Sequence, residues 1–250
     1  MRIATWNIDW GRKYRSKTHY LNIESFLKEW DFDVLILTEA IQLHLPNYQY
    51  RYFSKEIPEN VEFAGVNYTH YLRGEQAYRV AIYSKFPAVS FPAVKDEFTS
   101  LATEIKINKA DWGEIETGFL DEPQGQSIIV YGSIIGTRFR KLPYAKVELE
   151  NFLIDCDYLI RQNPNTIIAG DLNTSFLNLE KEYSINQNTT HRIKSKILEM
   201  NMLIATENLK SNIDHIIVPN IPESRVVNSE IFIERGVLSD HQGVWVEFDI

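Results

Sequence analysis

Residues able to bind metal ions or to move protons occur where the apolar runs of this chain begin or end. An Asn follows the first run, a Glu follows the second, and an Asp and an Asn close the run Thr-Ile-Ile-Ala-Gly. Two Asp-His pairs open later runs. The residues are Asn7, Glu39, Asp171, Asn173, Asp214-His215 and Asp240-His241. Loops at strand ends on a rigid scaffold are where catalytic groups usually lie.

Each of these residues has an ordinary explanation when it is taken alone. Asn tolerates turn geometry, and a single carboxylate at a strand end is most often solvated or caps a helix. Together, however, they supply hard oxygen ligands and an imidazole. Magnesium prefers octahedral oxygen coordination, and the chain has no Cys/His cluster of the kind that suits zinc.

The set matches the needs of a metal-dependent hydrolase. Such an enzyme needs one carboxylate to hold the ion and a second to activate water. It also needs an amide to orient groups and a cationic or polar donor for the phosphoryl oxygens. The strand-end residues can fill every one of these roles.

Short apolar runs, rich in Val, Ile and Tyr and bounded by Asn, Asp, Gly or Pro, predict the strands that position these residues. The predicted strands are Arg2–Trp6, Asp33–Thr38, Arg79–Tyr83, Ser127–Ile135, Thr166–Ala169, Ile213–Val218 and Gly243–Phe248. Helical periodicity predicts three helices, Tyr20–Trp30, Pro143–Arg161 and the shorter Thr190–Met200. Strands of this apolar density are covered on both faces, so the mixture predicts two packed sheets with helices outside, in one domain spanning residues 1–250.

Composition limits the classes of function. The net charge of −8 argues against a protein that coats nucleic acid through a broad basic surface. It does not exclude an enzyme that binds phosphate groups through a bound cation. The chain shows no signal peptide, no membrane span and no evident protein partner, so a cytoplasmic location is expected. The one cysteine, Cys156, lies on the apolar stripe of a predicted helix and is expected to be a buried core thiol.

Six segments of the chain resemble motifs of the endonuclease/exonuclease/phosphatase superfamily. They are ATWNID, LILTEA, VAIYSKFP, IIAGDLN, NIDHIIVP and LSDHQGVWVEF, in the family's order and over nearly the whole chain. The resemblance implies an α/β fold, a four-layered α/β/β/α sandwich with two packed mixed β-sheets. It implies a Mg²⁺ or Mn²⁺ ion near Glu39 and Asn7, with Asp240 close to that metal or at a second metal site.

The resemblance also implies catalytic roles. Asp171 would orient or deprotonate the attacking water, and Asn173 would position that water or a phosphoryl oxygen. His241 would contact the scissile phosphate, and Asp214 would hold the imidazole ring.

Two departures from the family pattern concern the same site. Thr38 stands where the family usually has Gln before the metal-binding Glu. Many members carry a second catalytic His where this chain has Gly132–Ile135, and the segment Tyr78–Tyr83 lacks the carboxylate that would orient it. Four other residues are candidates to donate to the phosphate instead, namely Ser133, Tyr131, Arg79 and Arg138.

The remaining histidines are interpreted as surface or structural residues, with His70 and His191 as the two that could line the cleft. The full set is His19, His44, His70, His191 and His215. The aromatic segment Tyr48–Phe53 could stack on bases, and packing within a sheet explains it equally well.

The sequence therefore predicts a divalent-metal-dependent hydrolase of phosphate esters. A phosphodiesterase or nuclease acting on DNA or RNA is the first choice, by analogy rather than from residues that read bases. The alternatives are a phosphatase or phosphodiesterase acting on a small molecule or lipid headgroup, and a non-catalytic binding module with the same fold.

Overall fold

The structure is a computed structural model of the 250-residue chain. It describes residues 1–9, 17–56, 62–63, 66–67, 77–107, 126–138, 140, 142–177, 180, 183–220 and 226–248. His70 and most of the segment Lys55–Gly74 lie outside these ranges.

Two six-stranded mixed sheets form the body of the protein. The first sheet contains, in spatial order, β13 (Val226–Ile233), β14 (Gly243–Phe248), β1 (Arg2–Asn7), β2 (Val34–Ile41), β6 (Ala77–Ser84) and β3 (Tyr50–Phe53). The second contains β11 (Met202–Ile204), β12 (Asp214–Pro219), β10 (Thr166–Asp171), β9 (Gln126–Ile134), β8 (Ser100–Ile107) and β7 (Ala88–Ser90). The short strands β4 (Glu62–Phe63) and β5 (Val66–Asn67) pair with each other.

One parallel pair lies inside each sheet, and a helix connects its two strands. In the first sheet, α1 (Lys17–Leu27) connects the parallel strands β1 and β2. In the second, α2 (Tyr144–Gln162) connects β9 and β10. Ligands of open α/β sheets bind outside the carboxyl ends of such strands. The polar residues that end β1, β2 and β10 therefore lie where a ligand site is expected.

Three apolar clusters give the protein its four layers. The central cluster lies between the sheets and includes Ile36 and Val80 from the first sheet with Val130 and Ile216 from the second. A second cluster packs α1 against the outer face of the first sheet. A third packs α2 and α3 (Gln187–Glu199) against the outer face of the second sheet, and Cys156 is fully buried there. The α/β/β/α sandwich predicted from the sequence is confirmed.

The seven predicted strands and three predicted helices are present, with shifted boundaries. The first helix is Lys17–Leu27 rather than Tyr20–Trp30. The third helix begins at Gln187, three residues before the predicted start, because the Asn186 side chain accepts a hydrogen bond from the Thr189 amide and caps it. Among the described residues, no helix is both long enough and apolar enough to cross a bilayer.

The strands that were not predicted are β3, β4, β5, β7, β8, β11 and β13. Most are short or lie at a sheet edge, where a strand needs few apolar residues. The longest inner strand that was missed is β8, whose apolar residues alternate with Thr103, Glu104 and Lys106. Because these polar side chains interrupt the apolar pattern, the strand was not predicted, although it pairs along the length of β9.

The backbones of β9 and β10 approach each other closely at Gly170, and a substitution there tests this approach. Its φ is +142°, and a Cβ there would overlap the carbonyl oxygen of its register partner Ser133. We expect Gly170→Ala to lower the free energy of unfolding by about 3 kcal/mol or more, because backbone must move to admit the methyl group. Gly236→Ala is the matched control, since Gly236 also has a positive φ (+87°) but has open space around its Cβ position. Urea unfolding of both variants measures the difference, and equal losses would contradict the close approach.

Candidate active site

Two buried aspartates face each other across the pair β10–β12. Asp171 ends β10, Asp214 begins β12, and the antiparallel register places them directly opposite each other. Their exposed fractions are 1% and 0%. Like charges directly opposite each other across a strand pair destabilise the pair. Such an arrangement costs folding free energy and is typical of a functional site.

Amide groups from two loops hold the Asp171 carboxylate. Asn7 Nδ2 donates to Asp171 Oδ2 at 2.9 Å, which links the end of β1 in the first sheet to β10 in the second. Asn173 donates its backbone N–H to Oδ1 at 2.8 Å and its Nδ2 to Oδ2 at 2.9 Å. Asn173 has a φ of +46°, which Asn tolerates better than most residues. Three donors therefore fix both oxygens of Asp171.

The second aspartate holds a histidine ring. His241 Nδ1 lies 2.7 Å from Asp214 Oδ2, and Asp214 Oδ1 accepts the backbone N–H of Asn7 at 3.1 Å. Burial works to lower the pKa of His241, but the nearby carboxylates, Asp214 first and then Asp171, outweigh it and raise this pKa to about 10. The ring is therefore held as an imidazolium, with Nε2 as a charged donor.

Burial also raises the pKa of Asp171, to about 8, and the neighbouring charge of Asp214 acts in the same direction. The imidazolium of His241 and the hydrogen bond from Asn7 oppose this rise. A raised pKa makes the ionised carboxylate a stronger base, which suits it to accept a proton in catalysis.

Ser239 belongs to the same network and was missed in the sequence. Its Oγ donates to the Asn7 carbonyl at 2.7 Å and accepts the His241 backbone N–H at 3.2 Å. It thereby ties the end of β1 to the loop that carries His241. The signal available in the sequence was its position two residues before His241, within the segment Leu-Ser-Asp-His.

Glu39 and Asp240 are next in sequence to positions of this network: Glu39 follows Thr38, the register partner of Asn7, and Asp240 precedes His241. Glu39 lies in β2 with a φ of +44° and a side chain that is only 12% exposed, and its carboxylate lies 3.8 Å from the guanidinium of Arg79. Asp240 Oδ1 lies 3.9 Å from His241 Nε2, with 38% of the side chain exposed.

The closest group of potential metal ligands among the described residues consists of Asp171, Asp214 and His241. One ligand atom from each lies within 4.8 Å of the other two. The residues predicted to bind the metal, Glu39, Asn7 and Asp240, lie beside this group rather than within it. Carboxylate and amide oxygens predominate, which suits Mg²⁺ or Mn²⁺.

Two of the candidates to replace the absent second histidine are engaged within the second sheet. Ser133 Oγ lies 2.9 Å from Ser100 Oγ, which in turn lies 3.0 Å from Tyr131 Oη. Tyr131 Oη donates to Asp155 at 3.1 Å. The guanidinium of Arg138 packs over the Tyr144 ring at 4.6 Å. Arg79 contacts a predicted site residue, because its guanidinium lies 3.8 Å from the Glu39 carboxylate.

The aromatic segment Tyr48–Phe53 packs within the protein. The Phe53 ring lies 4.6 Å from that of Tyr78, and the Tyr48 ring lies 5.9 Å from that of Tyr83. These contacts favour the sheet-packing explanation over base stacking.

His215 is a structural residue. Its Nε2 donates to the Thr174 carbonyl at 2.8 Å, and its Nδ1 lies 3.0 Å from Thr206 Oγ1. It therefore anchors the loop that follows Asn173. His44 and His191 are exposed and His19 is half-buried. His191 lines a cavity of about 400 Å³ next to the segment Ser175–Leu177.

The chain is similar to a known protein family and to solved structures. The model of the Endonuclease/Exonuclease/phosphatase family matches residues 4–241. No curated protein sequence matches the chain.

Solved structures with the same fold include the 3'-5' exonuclease (NExo) from Neisseria meningitidis, with a TM-score of 0.64, 14% identity and full coverage of both chains. A 3' phosphatase NExo from Neisseria bound to product DNA hairpin has a TM-score of 0.65 and 12% identity, again with full coverage of both chains. An endonuclease/exonuclease/phosphatase from Beutenbergia cavernae DSM 12333 has a TM-score of 0.63 and 15% identity, covering 100% of this chain and 71% of that one. At these identities the likeness concerns the fold.

The burial of His215 predicts a component of acid sensitivity. Burial lowers its pKa to about 4, below the value of about 6.5 in an unfolded chain. The stability it confers is therefore complete above pH ~6.5 and is lost as the pH falls toward 4. Between pH 7 and pH 5 the loss from this group is about 2 kcal/mol.

We expect His215→Gln to be less stable than wild type at pH 7 but to lose about 2 kcal/mol less on moving to pH 5. Urea unfolding at both pH values measures this. The exposed His44 provides the control, because His44→Gln should keep the wild-type difference between the two pH values. An unchanged difference in His215→Gln would show that His215 is not the titrating group.

Proposed function

This chain belongs to the endonuclease/exonuclease/phosphatase family, and we propose that it is a divalent-cation-dependent hydrolase of phosphate esters. Members of this family are phosphoester hydrolases that use divalent metals. The observation that carries the proposal is a hydrogen-bonded network at the carboxyl ends of β1 and β10. Its members are Asn7, Asp171, Asn173, Asp214 and His241.

The oxygen-rich donor set suits a hard cation. In this proposal Glu39, Asn7 and Asp240 hold Mg²⁺ or Mn²⁺. When bound, the cation supplies positive charge to the phosphoryl group and to the leaving oxygen. The partial exposure of Asp240 and the low exposure of Glu39 give this part of the site one face toward solvent and one toward the interior.

In this proposal the network provides a proton path for the attack of water. Asp171 accepts a proton from the water as its oxygen bonds to phosphorus, and Asn173 orients the water or a phosphoryl oxygen. His241 donates its Nε2–H to a phosphoryl oxygen, where negative charge develops as the ester bond breaks. Asp214 keeps the imidazole charged and correctly turned through the 2.7 Å contact with Nδ1.

A nuclease or other phosphodiesterase is the first choice of activity. It is supported by fold neighbours described as a 3'-5' exonuclease and as a 3' phosphatase bound to product DNA hairpin. The net charge of −8 favours the second choice, a phosphatase or phosphodiesterase acting on a small molecule or lipid headgroup. Salt separates the two, because binding to nucleic acid weakens steeply with ionic strength and binding to a small phosphate ester does not.

A panel of DNA, RNA, phosphodiesters and phosphomonoesters, assayed with Mg²⁺ or Mn²⁺ and with EDTA, tests the proposal. Hydrolysis that EDTA abolishes is expected with at least one member. A folded, cation-binding protein that hydrolyses none of them would favour a non-catalytic binding module.

We predict that Asp171→Asn abolishes most of the turnover while leaving the protein folded. The substitution removes the basic oxygen, and general-base contributions are typically about 10² to 10⁴ in rate. It also sets an amide N–H against the donors of Asn7 and Asn173, which costs stability, but it removes the repulsion from Asp214. The net change in the free energy of unfolding is therefore expected to be small.

Turnover and thermal midpoint of Asp171→Asn are measured on one preparation, with Asp157→Asn on α2 as a carboxylate control away from the site. If Asp171 merely shapes a turn, the variant loses about 1 kcal/mol of stability and keeps its activity. That result would rule out the catalytic assignment.

We predict that Glu39→Gln weakens Mn²⁺ binding by about 10- to 100-fold or more, because the carboxylate charge is lost from the metal side of the site. The thermal midpoint in EDTA should change far less, since Gln retains an oxygen that can face Arg79. Calorimetric titration with Mn²⁺ measures the affinity, and Glu104→Gln on β8 is the control. Equal affinity in Glu39→Gln and wild type would show that Glu39 is not the main ligand.

A further inference from the structure

Arg79 is a fully buried arginine at the edge of the proposed site. It lies in β6 of the first sheet, and its exposed fraction is 0%. The register of β2 and β6 pairs Thr38 with Val80 and Ala40 with Tyr78, so Arg79 stands opposite Glu39. The guanidinium Nη1 lies 3.8 Å from Glu39 Oε1. Burying an arginine is costly unless its charge is compensated or used.

The charge of Arg79 also reaches the second half of the sandwich. Glu148 is a buried residue of α2, which packs against the second sheet. Burial raises the pKa of Glu148, and the positive charge of Arg79 works against this rise. The guanidinium thus interacts with carboxylates attached to both sheets.

Glu148 in turn holds a turn that borders the network. Its Oε2 accepts the backbone N–H of Gly136 at 2.6 Å and that of Thr137 at 2.9 Å, and Oε1 accepts the Thr137 hydroxyl. The preceding residue, Ile135, donates its N–H to the Asp171 carbonyl and accepts Asn173 Nδ2 at 2.9 Å. The positive charge of Arg79 therefore acts on Glu39, which it contacts, and on Glu148, which holds the turn beside Asp171.

The charge balance of the site indicates what the positive charge of Arg79 does. Three carboxylates, those of Asp171, Asp214 and Asp240, lie in or beside the network, and Glu39 follows Thr38, the register partner of Asn7. The His241 imidazolium offsets only part of this negative charge. A phosphate ester is itself an anion, and negative charges in a low-dielectric site repel it strongly. A fixed positive charge that faces Glu39 from the interior reduces that repulsion without occupying the space of the substrate.

We propose that Arg79 is a positioning residue whose buried positive charge offsets Glu39 and so allows an anionic phosphoryl group to bind beside the acidic network. This inference rests on the proposed function, because it concerns the same site. Arg79 acts through Glu39 and through its charge.

The proposal predicts that loss of the Arg79 charge weakens the binding of phosphate but does not weaken the binding of Mn²⁺. In Arg79→Met the site becomes more negative, so the Kd for inorganic phosphate, measured by calorimetry in saturating Mn²⁺, should rise about tenfold. The affinity for Mn²⁺ itself should stay the same or increase. Arg79→Lys keeps the charge and should remain within a few-fold of wild type in both measurements.

A purely structural role predicts a different pattern. If Arg79 only holds Glu39 in place, Arg79→Met weakens Mn²⁺ and phosphate binding together, and that result would overturn the proposal. Unchanged phosphate binding in folded Arg79→Met would overturn it as well. Should Arg79→Met fail to fold, Arg79→Gln, which keeps polar groups at the position, takes its place. Failure of both neutral variants to fold would assign the charge to folding and would also reject the proposal.

The same measurements separate this inference from the proposed function. Both affinities are binding constants and need no turnover. Wild-type protein that binds Mn²⁺ and phosphate but hydrolyses no member of the substrate panel would contradict the hydrolase assignment while leaving the Arg79 comparison valid. Hydrolysis by wild type together with parallel losses of both affinities in Arg79→Met would contradict only the role of Arg79.

Discussion

The opposition of Asp171 and Asp214 across β10 and β12 is the constraint on which the site depends. Two buried carboxylates in direct register repel each other, so the fold must surround them with donors and positive charge. Asn7 serves both, through its side chain to Asp171 and its backbone to Asp214. A buried polar network of this kind is stable only when all of its members are satisfied. The positions of Asn173, Ser239 and His241 follow from that requirement.

Much of the fold could be predicted because its inner strands are nearly continuous apolar runs. Strands covered on both faces leave a strong signal, and β1, β2, β10 and β12 were recognised from it together with the polar residues at their ends. The carboxylates, the two asparagines and His241 of the network were predicted for the same reason. A carboxylate or amide that interrupts an apolar strand stands out in the sequence.

The contacts of the site were harder to predict because they join residues distant in sequence. Nothing in the segment around Arg79 indicates that it faces Glu39, and nothing around Glu148 indicates that it holds the Gly136–Thr137 turn. Both residues are charged and buried, which sequence patterns treat as surface positions. Ser239 was missed for a related reason, since a single serine in a loop is unremarkable until its two partners are known.

The hydrogen bond between Asn7 and Asp171 has a consequence for synthesis of the protein. It joins two βαβ units, β1–α1–β2 and β9–α2–β10, that come from opposite halves of the chain. His241 lies in the loop before β14, 234 positions after Asn7, and its ring contacts Asp214 of the same network. A nascent chain emerging from the ribosome can fold the unit β1–α1–β2 early, yet this unit contributes only Asn7 to the network. His241 is held at the network by the strand that follows its loop, since β14 pairs with β1. The candidate site is therefore assembled only after β14 has been synthesised and has paired with β1.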